Sequence, residues 1–197
     1  MRLKSLFFVA ILMAAPRLSA SIIAYQASLS GSNESPPNAS PGTGFAMVTF
    51  DTVAQTMEVQ VSFAGLLGTT TASHIHCCTA SPGTGTAIVA TTLPTFTGFP
   101  LGVMSGTYDH TFDMTLISSY NSAFITANGG TTASAEAALL AGIAADEAYL
   151  NIHSTVVPGG EIRGFLTPAV PEPATWGLVG LALTGLALLG RKSRIWA

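Results

Sequence analysis

The chain has 197 residues, of which 48% are hydrophobic and only 9% are charged, and its formal net charge is −3 at pH 7. Between residues 21 and 169 there are nine acidic residues, but Arg163 is the only basic one. Nucleic acid and anionic lipid both require clustered Lys or Arg. Neither is therefore an expected partner of the central part of the chain.

Residues 1–20 have the three parts of a secretory signal peptide. Arg2 and Lys4 provide a basic start, residues 6–15 are apolar, and the small residue Ala20 suits cleavage by signal peptidase. The apolar run alone is too short to span a membrane as a helix. We therefore predict that signal peptidase removes residues 1–20 during export.

The central segment, residues 21–169, has the size of one domain with a single core. Short β-rich runs in it are separated by clusters of Gly, Pro, Ser and Asn, which is typical of an antiparallel sandwich or barrel. The runs cover residues 22–30, 45–50, 57–63, 74–78, 86–90, 106–112, 149–153 and 161–166. Residues 133–145, rich in Ala and Leu, predict a short helix, and residues 115–121 a single helical turn. The predicted fold is all-β, an antiparallel sandwich or barrel of about eight short strands with one short helix.

Residues 71–81, with the sequence TASHIHCCTAS, contain the pattern most indicative of chemistry. In a strand, alternation would bring His74, His76 and Cys78 to one face. Two imidazoles on one face can bind the same ion, and imidazole suits copper or zinc. We predict His153, near the end of another strand, as a third ligand, with Cys78 as a further candidate. The alternative is that the histidines form hydrogen bonds to backbone carbonyls or a polar patch.

Three other residues are candidates for the surroundings of such a site. His110 lies at the edge of another predicted strand, and Asp109 and Asp113 could accept a hydrogen bond from a ligand ring. The His74–His76 pair also resembles the histidine pair of the copper-zinc superoxide dismutase sandwich. This resemblance implies a possible redox metal site and covers only three residues.

Cys77 and Cys78 are the only cysteines of the chain. Outside the cytoplasm thiols tend to be oxidised, and these two could pair only with each other within the chain. A bond between adjacent cysteines requires a turned peptide, because side chains in a strand point apart. A vicinal disulfide, a buried pair of thiols, an intermolecular bridge and metal ligation by one cysteine all remain open.

Glu161 and Arg163 are two residues apart in a predicted strand and would share a face. We predict a structural ion pair between them. The alternative is that Arg163 is exposed and recognises anionic sugars.

The last 28 residues, 170–197, form a second targeting segment. Val170, Pro171, Glu172 and Pro173 precede the charge-free stretch 174–190, which is long enough to cross a thin bilayer as a transmembrane helix. A basic tail of Arg191, Lys192 and Arg194 follows and should stay cytoplasmic. Together these parts resemble the PEP-CTERM sorting signal of Gram-negative bacteria. The resemblance implies an inner-membrane precursor, processing by an exosortase-type protease, and delivery to the cell envelope, the cell surface or an exopolysaccharide matrix. The alternative is a plain membrane anchor that is retained.

The central domain is similar to the CHRD domain, a module named after chordin. The similarity lies in residues 29–38 (LSGSNESPPN), in His74 and His76, in residues 137–142 (AALLAG) and in residues 149–166 (YLNIHSTVVPGGEIRGFL). This resemblance implies a β-strand fold and a secreted surface or matrix module.

Motifs of common enzymes do not occur in the sequence: it contains no Gly-x-Ser-x-Gly, no His-Glu-x-x-His and no dinucleotide fingerprint. We therefore expect a non-enzymatic surface or matrix module with a binding or scaffolding role. Its expected partners are exopolysaccharide or surface proteins, and this function requires no cofactor. The alternative is a copper- or zinc-binding metalloprotein, in the extreme case one resembling superoxide dismutase.

Overall fold

A computed structural model describes residues 22–169. The strands are β1 Ile22–Ser30, β2 Thr43–Asp51, β3 Thr56–Ala64, β4 Thr70–His76, β5 Gly106–Asp113, β6 Tyr149–Ser154, β7 Ile162–Phe165 and β8 Thr167–Pro168. The helices are α1 Ser122–Ala127 and α2 Thr132–Ala144, and short 3₁₀ turns occupy Gly31–Asn33 and Ile117–Ser119. The predicted signal peptide and C-terminal helix lie outside the described residues. Among residues 22–169, no helix is long and apolar enough to cross a membrane.

The strands form one antiparallel sheet that curls into a half-barrel. Its order is β4-β6-β7-β1-β2-β3-β5, and β8 pairs with β1. The prediction of an all-β antiparallel fold with about eight strands is confirmed. Strands β4 and β6 are neighbours although more than 70 residues separate them, with His76 opposite Tyr149. This long-range pairing brings together the segments that carry the histidines.

One face of the sheet packs into the core because apolar residues alternate along the strands. In β2 the buried residues are Ala46, Val48 and Phe50, and in β3 they are Met57, Val59, Val61 and Phe63. Helix α2 adds Leu139 and Ile143 to this core. Its start is capped by Thr131 and Ser134, each of which binds the backbone N–H of the other.

Two strand predictions differ from the structure at the edge strand β4. This strand ends at His76 rather than Cys78, because Cys77 and Cys78 bond to each other and leave the extended alternation. Residues 86–90 form no strand: Val89 makes only an isolated bridge to His76. The Ala90 N–H still binds the Ile75 carbonyl, so this segment lies along the free edge of β4.

The two faces of β4 and β6 have different surroundings. Ile75, Leu150 and Ile152 are fully buried in the core. The alternate residues of the same strands point to the other face, where the segment that follows β4 covers them. His74, His76 and His153 all belong to that second face.

Candidate metal centre

The structure brings the three predicted histidine ligands together. His74 and His76 lie two residues apart on β4, and His153 lies on β6, opposite Ala72. One ligand nitrogen from each ring lies within 4.8 Å of the other two. The strand period of two aligns the first pair, and the antiparallel register of β4 and β6 supplies the third ring.

Each imidazole is held by a hydrogen bond to a backbone carbonyl. The contacts are His74 Nε2 to Pro94 O at 2.6 Å, His76 Nδ1 to Ala87 O at 2.8 Å and His153 Nδ1 to Pro158 O at 2.8 Å. A carbonyl oxygen only accepts, so these nitrogens carry the protons. Backbone carbonyls in this role fix the tautomer and orientation of metal-binding histidines. The hydrogen bonds to backbone carbonyls that the alternative interpretation predicts are therefore present, and they are compatible with metal ligation.

The second nitrogen of each ring has no partner in the protein. His74 Nδ1, His76 Nε2 and His153 Nε2 are buried and make no hydrogen bond. A buried polar atom without a partner costs about 1–3 kcal/mol. Three such atoms in one small space would be a considerable cost to the fold. A metal ion bound between them would provide all three with a partner.

The electrostatics keep these rings neutral. Burial lowers the pKa of His74 to about 4, and the carbonyl of Pro94 only partly opposes it. Burial also lowers the pKa of His76 and of His153, against the opposing effect of their own backbone carbonyls. Neutral imidazole is the form that binds a metal ion. The three rings would therefore not need to lose protons before binding a metal ion at neutral pH.

Three neutral imidazoles define which ions suit the centre. Nitrogen ligands of this kind fit zinc and copper, whereas calcium and magnesium prefer oxygen. Zinc sites usually have four ligands, and three protein ligands leave one position for water or another molecule. The donor set would therefore suit a copper or zinc ion.

Cys78, the further ligand candidate, lies elsewhere. The structure joins Cys77 and Cys78 in a disulfide, so neither offers a thiolate. The Cys78 sulfur lies 3.9 Å from the Ala138 carbonyl of α2, and a Cβ placed on Gly142 would collide with both sulfurs. The disulfide thus packs against α2 and is not part of the histidine cluster.

The other predicted neighbours of the site do not approach it. His110 lies on β5, the last strand at the opposite end of the sheet, between the rings of Tyr108 and Phe112. Asp109 accepts a hydrogen bond from Gln60, and Asp113 binds Thr115. The alternation of a distant strand cannot bring these groups to β4. They are not partners of the three histidines.

The predicted Glu161–Arg163 ion pair is wrong. Arg163 Nε lies 3.8 Å from Glu34 Oε2, and Arg163 also donates to the carbonyls of Asn33 and Gly85. The Arg163 side chain is 4% exposed, which excludes the exposed sugar-recognition alternative.

Glu161 has separate partners. It accepts hydrogen bonds from Ser40 Oγ at 2.6 Å, from Gly68 N at 3.2 Å and from Leu67 N. Strand β7 begins at Ile162, so Glu161 lies just before it. The alternation of side chains within a strand therefore does not bring Glu161 and Arg163 to the same face. Its carboxylate ties the turns around residues 40 and 67 to the start of β7.

Three residues around the site escaped the sequence analysis. Tyr149 stacks on His76 with ring centroids 4.8 Å apart, and Asn151 lies opposite His74 in the β4–β6 register. Both alternate with His153 along β6, and this spacing could have indicated them. Glu34 has no such signal, because only the tertiary structure places it beside Arg163.

The fold and the site define an antiparallel β domain with a buried cluster of three imidazoles. A family model for the CHRD domain matches residues 25–166, and the chain belongs to this family. A second model, the PEP-CTERM protein-sorting motif, matches residues 169–192. No curated protein and no solved structure matches the chain. The sorting motif implies export, processing by an exosortase-type protease and sorting to the envelope of a Gram-negative bacterium.

Proposed function

We propose that this exported CHRD-family protein is a non-enzymatic metal-binding surface module that holds one copper or zinc ion through His74, His76 and His153. The observation that supports this most directly is the convergence of three buried ligand nitrogens within 4.8 Å, each without a partner. The opposite nitrogen of each ring is already used by a backbone carbonyl. A chance cluster of histidines would not require all three rings to be oriented in this way.

A bound ion would have a structural effect on the module. It would join the edge strand β4 to β6 and, through the carbonyls that hold the rings, to the chain at Pro94 and Pro158. An ion that binds only the folded protein stabilises it by mass action. In this role the metal makes one edge of the sheet rigid, so that the module can contact exopolysaccharide or surface proteins at the cell envelope.

The test is metal analysis of the purified protein after loading with copper or zinc and removal of free ion. We expect about one ion per chain in the wild type. In His76→Ala we expect the metal affinity to fall by about 100-fold or more, because loss of a group that only supports a ligand already lowers affinity by about 10–100-fold. His110→Ala is the matched control, since His110 is the one histidine of the described residues outside the cluster. A folded wild type that stays free of metal would refute the proposed binding.

The non-enzymatic part of the proposal has its own measurement. A dismutase-like activity requires copper that cycles between two oxidation states and a path for superoxide. His74 is only 5% exposed, and the chain segment after β4 covers it. We therefore expect the copper-loaded protein to consume superoxide no faster than the His76→Ala variant. A clear excess in the wild type would make the protein an enzyme.

A further inference from the structure

Unpartnered polar atoms are concentrated in one region of the protein. Among residues 22–169, the buried side-chain atoms without a hydrogen bond are Glu34 Oε1, His74 Nδ1, His76 Nε2, Asp146 Oδ1, Asn151 Oδ1 and His153 Nε2. Three of these are the ligand nitrogens described above. Of the other three atoms, Asn151 Oδ1 lies nearest to these nitrogens along the strands. The three histidines do not provide it with a hydrogen-bond donor.

Strand geometry places Asn151 at the corner of the ligand set. It lies directly opposite His74 and precedes His153 by two residues on the same face of β6. Directly opposite residues have Cβ atoms about 5 Å apart, and same-face neighbours on a strand are about 6.6 Å apart.

Asn151 is well enclosed for a polar residue. It is 2% exposed, so solvent does not compensate its oxygen. On its other side, a Cβ placed on Gly160 would lie 2.9 Å from Asn151 Nδ2 and 2.7 Å from Glu34 Oε1. The nitrogen end of the amide therefore faces Gly160 and Glu34, without a hydrogen bond to Glu34 Oε1, and the oxygen end has no partner either. A buried carbonyl oxygen of this kind requires a donor.

We propose that the ion bound by the three histidines carries a water molecule at its fourth position, and that Asn151 Oδ1 accepts a hydrogen bond from this water. Asn151 is then a positioning residue for an exchangeable ligand of the metal. This inference rests on the proposed function, since it requires the ion. One water molecule would then explain two observations. Its lone pair would fill the fourth position of the ion, and its O–H would donate to the unpartnered oxygen of Asn151.

The first experiment uses the full wild-type protein loaded with Cu²⁺. Pulsed electron paramagnetic resonance in H₂O and in D₂O detects exchangeable protons on a ligand of the copper. We expect the exchangeable protons of one coordinated water. A loaded wild type without an exchangeable water would overturn the inference while leaving the metal site itself intact. A wild type that binds no copper would also overturn the inference, and one that binds neither copper nor zinc would refute the proposed function as well.

The second experiment changes the acceptor. Asn151→Leu removes the oxygen at similar size, whereas Asn151→Asp keeps an acceptor. We expect the Leu variant to keep about one ion per chain, with copper affinity about 10–100-fold lower and an altered or lost water signal. The Asp variant should retain the signal.

Asn128→Leu is the matched control for the Leu substitution. Its amide binds the Phe124 carbonyl at the end of α1, away from the cluster. We expect its copper affinity and water signal to equal those of the wild type. Affinity and signal in Asn151→Leu within about twofold of the wild type would overturn the inference. If Asn151→Leu does not fold, the wild-type measurement in D₂O decides alone.

Discussion

His76 and Tyr149 stack almost parallel, with 4.8 Å between their ring centroids and 6° between their planes. The same tyrosine ring has the Arg163 guanidinium 4.5 Å from its centroid. One aromatic side chain thus connects a candidate metal ligand to the only basic residue of the central domain. Stacked and cation–π contacts of this kind each stabilise by about 0.5–2 kcal/mol.

We predict that Tyr149→Ala destabilises the protein by about 3–5 kcal/mol and weakens metal binding by about tenfold, because it removes a buried ring and frees His76 to turn. Tyr149→Phe is the control. It keeps the ring and loses only the hydroxyl that accepts from the Ala87 N–H at 3.3 Å, at a cost of about 1 kcal/mol. Urea unfolding and a metal titration measure the two effects. Equal metal affinity in both variants would contradict the role given to stacking.

Arg163 and Glu34 are expected to contribute unequally to stability. Arg163→Lys loses the donors to the carbonyls of Asn33 and Gly85, and we predict a loss of about 3 kcal/mol in the free energy of unfolding. Glu34→Gln should cost less than about 1 kcal/mol. Burial raises the pKa of Glu34 to about 7 despite the opposing charge of Arg163, so its carboxyl is already partly neutral. Urea unfolding at pH 7 measures both values, and a larger cost for Glu34→Gln would contradict this ranking.

The metal-free protein should lose stability as pH falls from about 6.5 towards 4. Burial holds the pKa of His74 at about 4, below the ordinary 6.5, so the unfolded chain binds more protons than the folded one in this range. The stability contributed by the neutral ring is complete above pH 6.5 and decreases below it, by on the order of 2 kcal/mol for His74. Burial of Glu34 acts in the opposite direction, because its raised pKa favours proton uptake by the folded state.

The experiment therefore compares unfolding at pH 7 and pH 5 in a Glu34→Gln background. Adding His74→Leu should make the dependence on pH shallower, and the lowered pKa values of His76 and His153 should account for the remainder. A slope that is the same with and without His74 would show that this ring does not cause the loss.

The contact between the disulfide and α2 leaves no room for a side chain at position 142. A Cβ there would lie 2.2 Å from the Cys78 sulfur and 2.3 Å from the Cys77 sulfur. We predict that Gly142→Ala destabilises the protein by about 2–3 kcal/mol, because the helix or the disulfide must shift. Gly159→Ala is the matched control, since a Cβ at that position meets nothing within 4 Å. Thermal unfolding of the two variants would show equal midpoints if the contact were unimportant.

The extent to which the sequence predicts this protein differs between local and long-range features. The alternation of β2 and β3 and the shared face of His74 and His76 follow from periodicity alone, and the helix near residues 132–144 follows from its content of Ala and Leu. Periodicity also predicts the Glu161–Arg163 pair, which is wrong because β7 begins at Ile162, one residue after Glu161. Periodicity places Cys78 on the histidine face only if β4 continues beyond His76, where the strand in fact ends.

By itself the sequence determined the class of this protein: a β-built CHRD domain almost without basic residues, followed by a PEP-CTERM sorting signal. It also determined that two imidazoles lie side by side, since that depends only on the period of a strand. The approach of His153, the enclosure of Asn151 and the partner of Arg163 were decided by the tertiary structure. These features depend on which strands pair and in what register. The pairing is selected by burial of the apolar face of the sheet, which involves residues far apart in the chain.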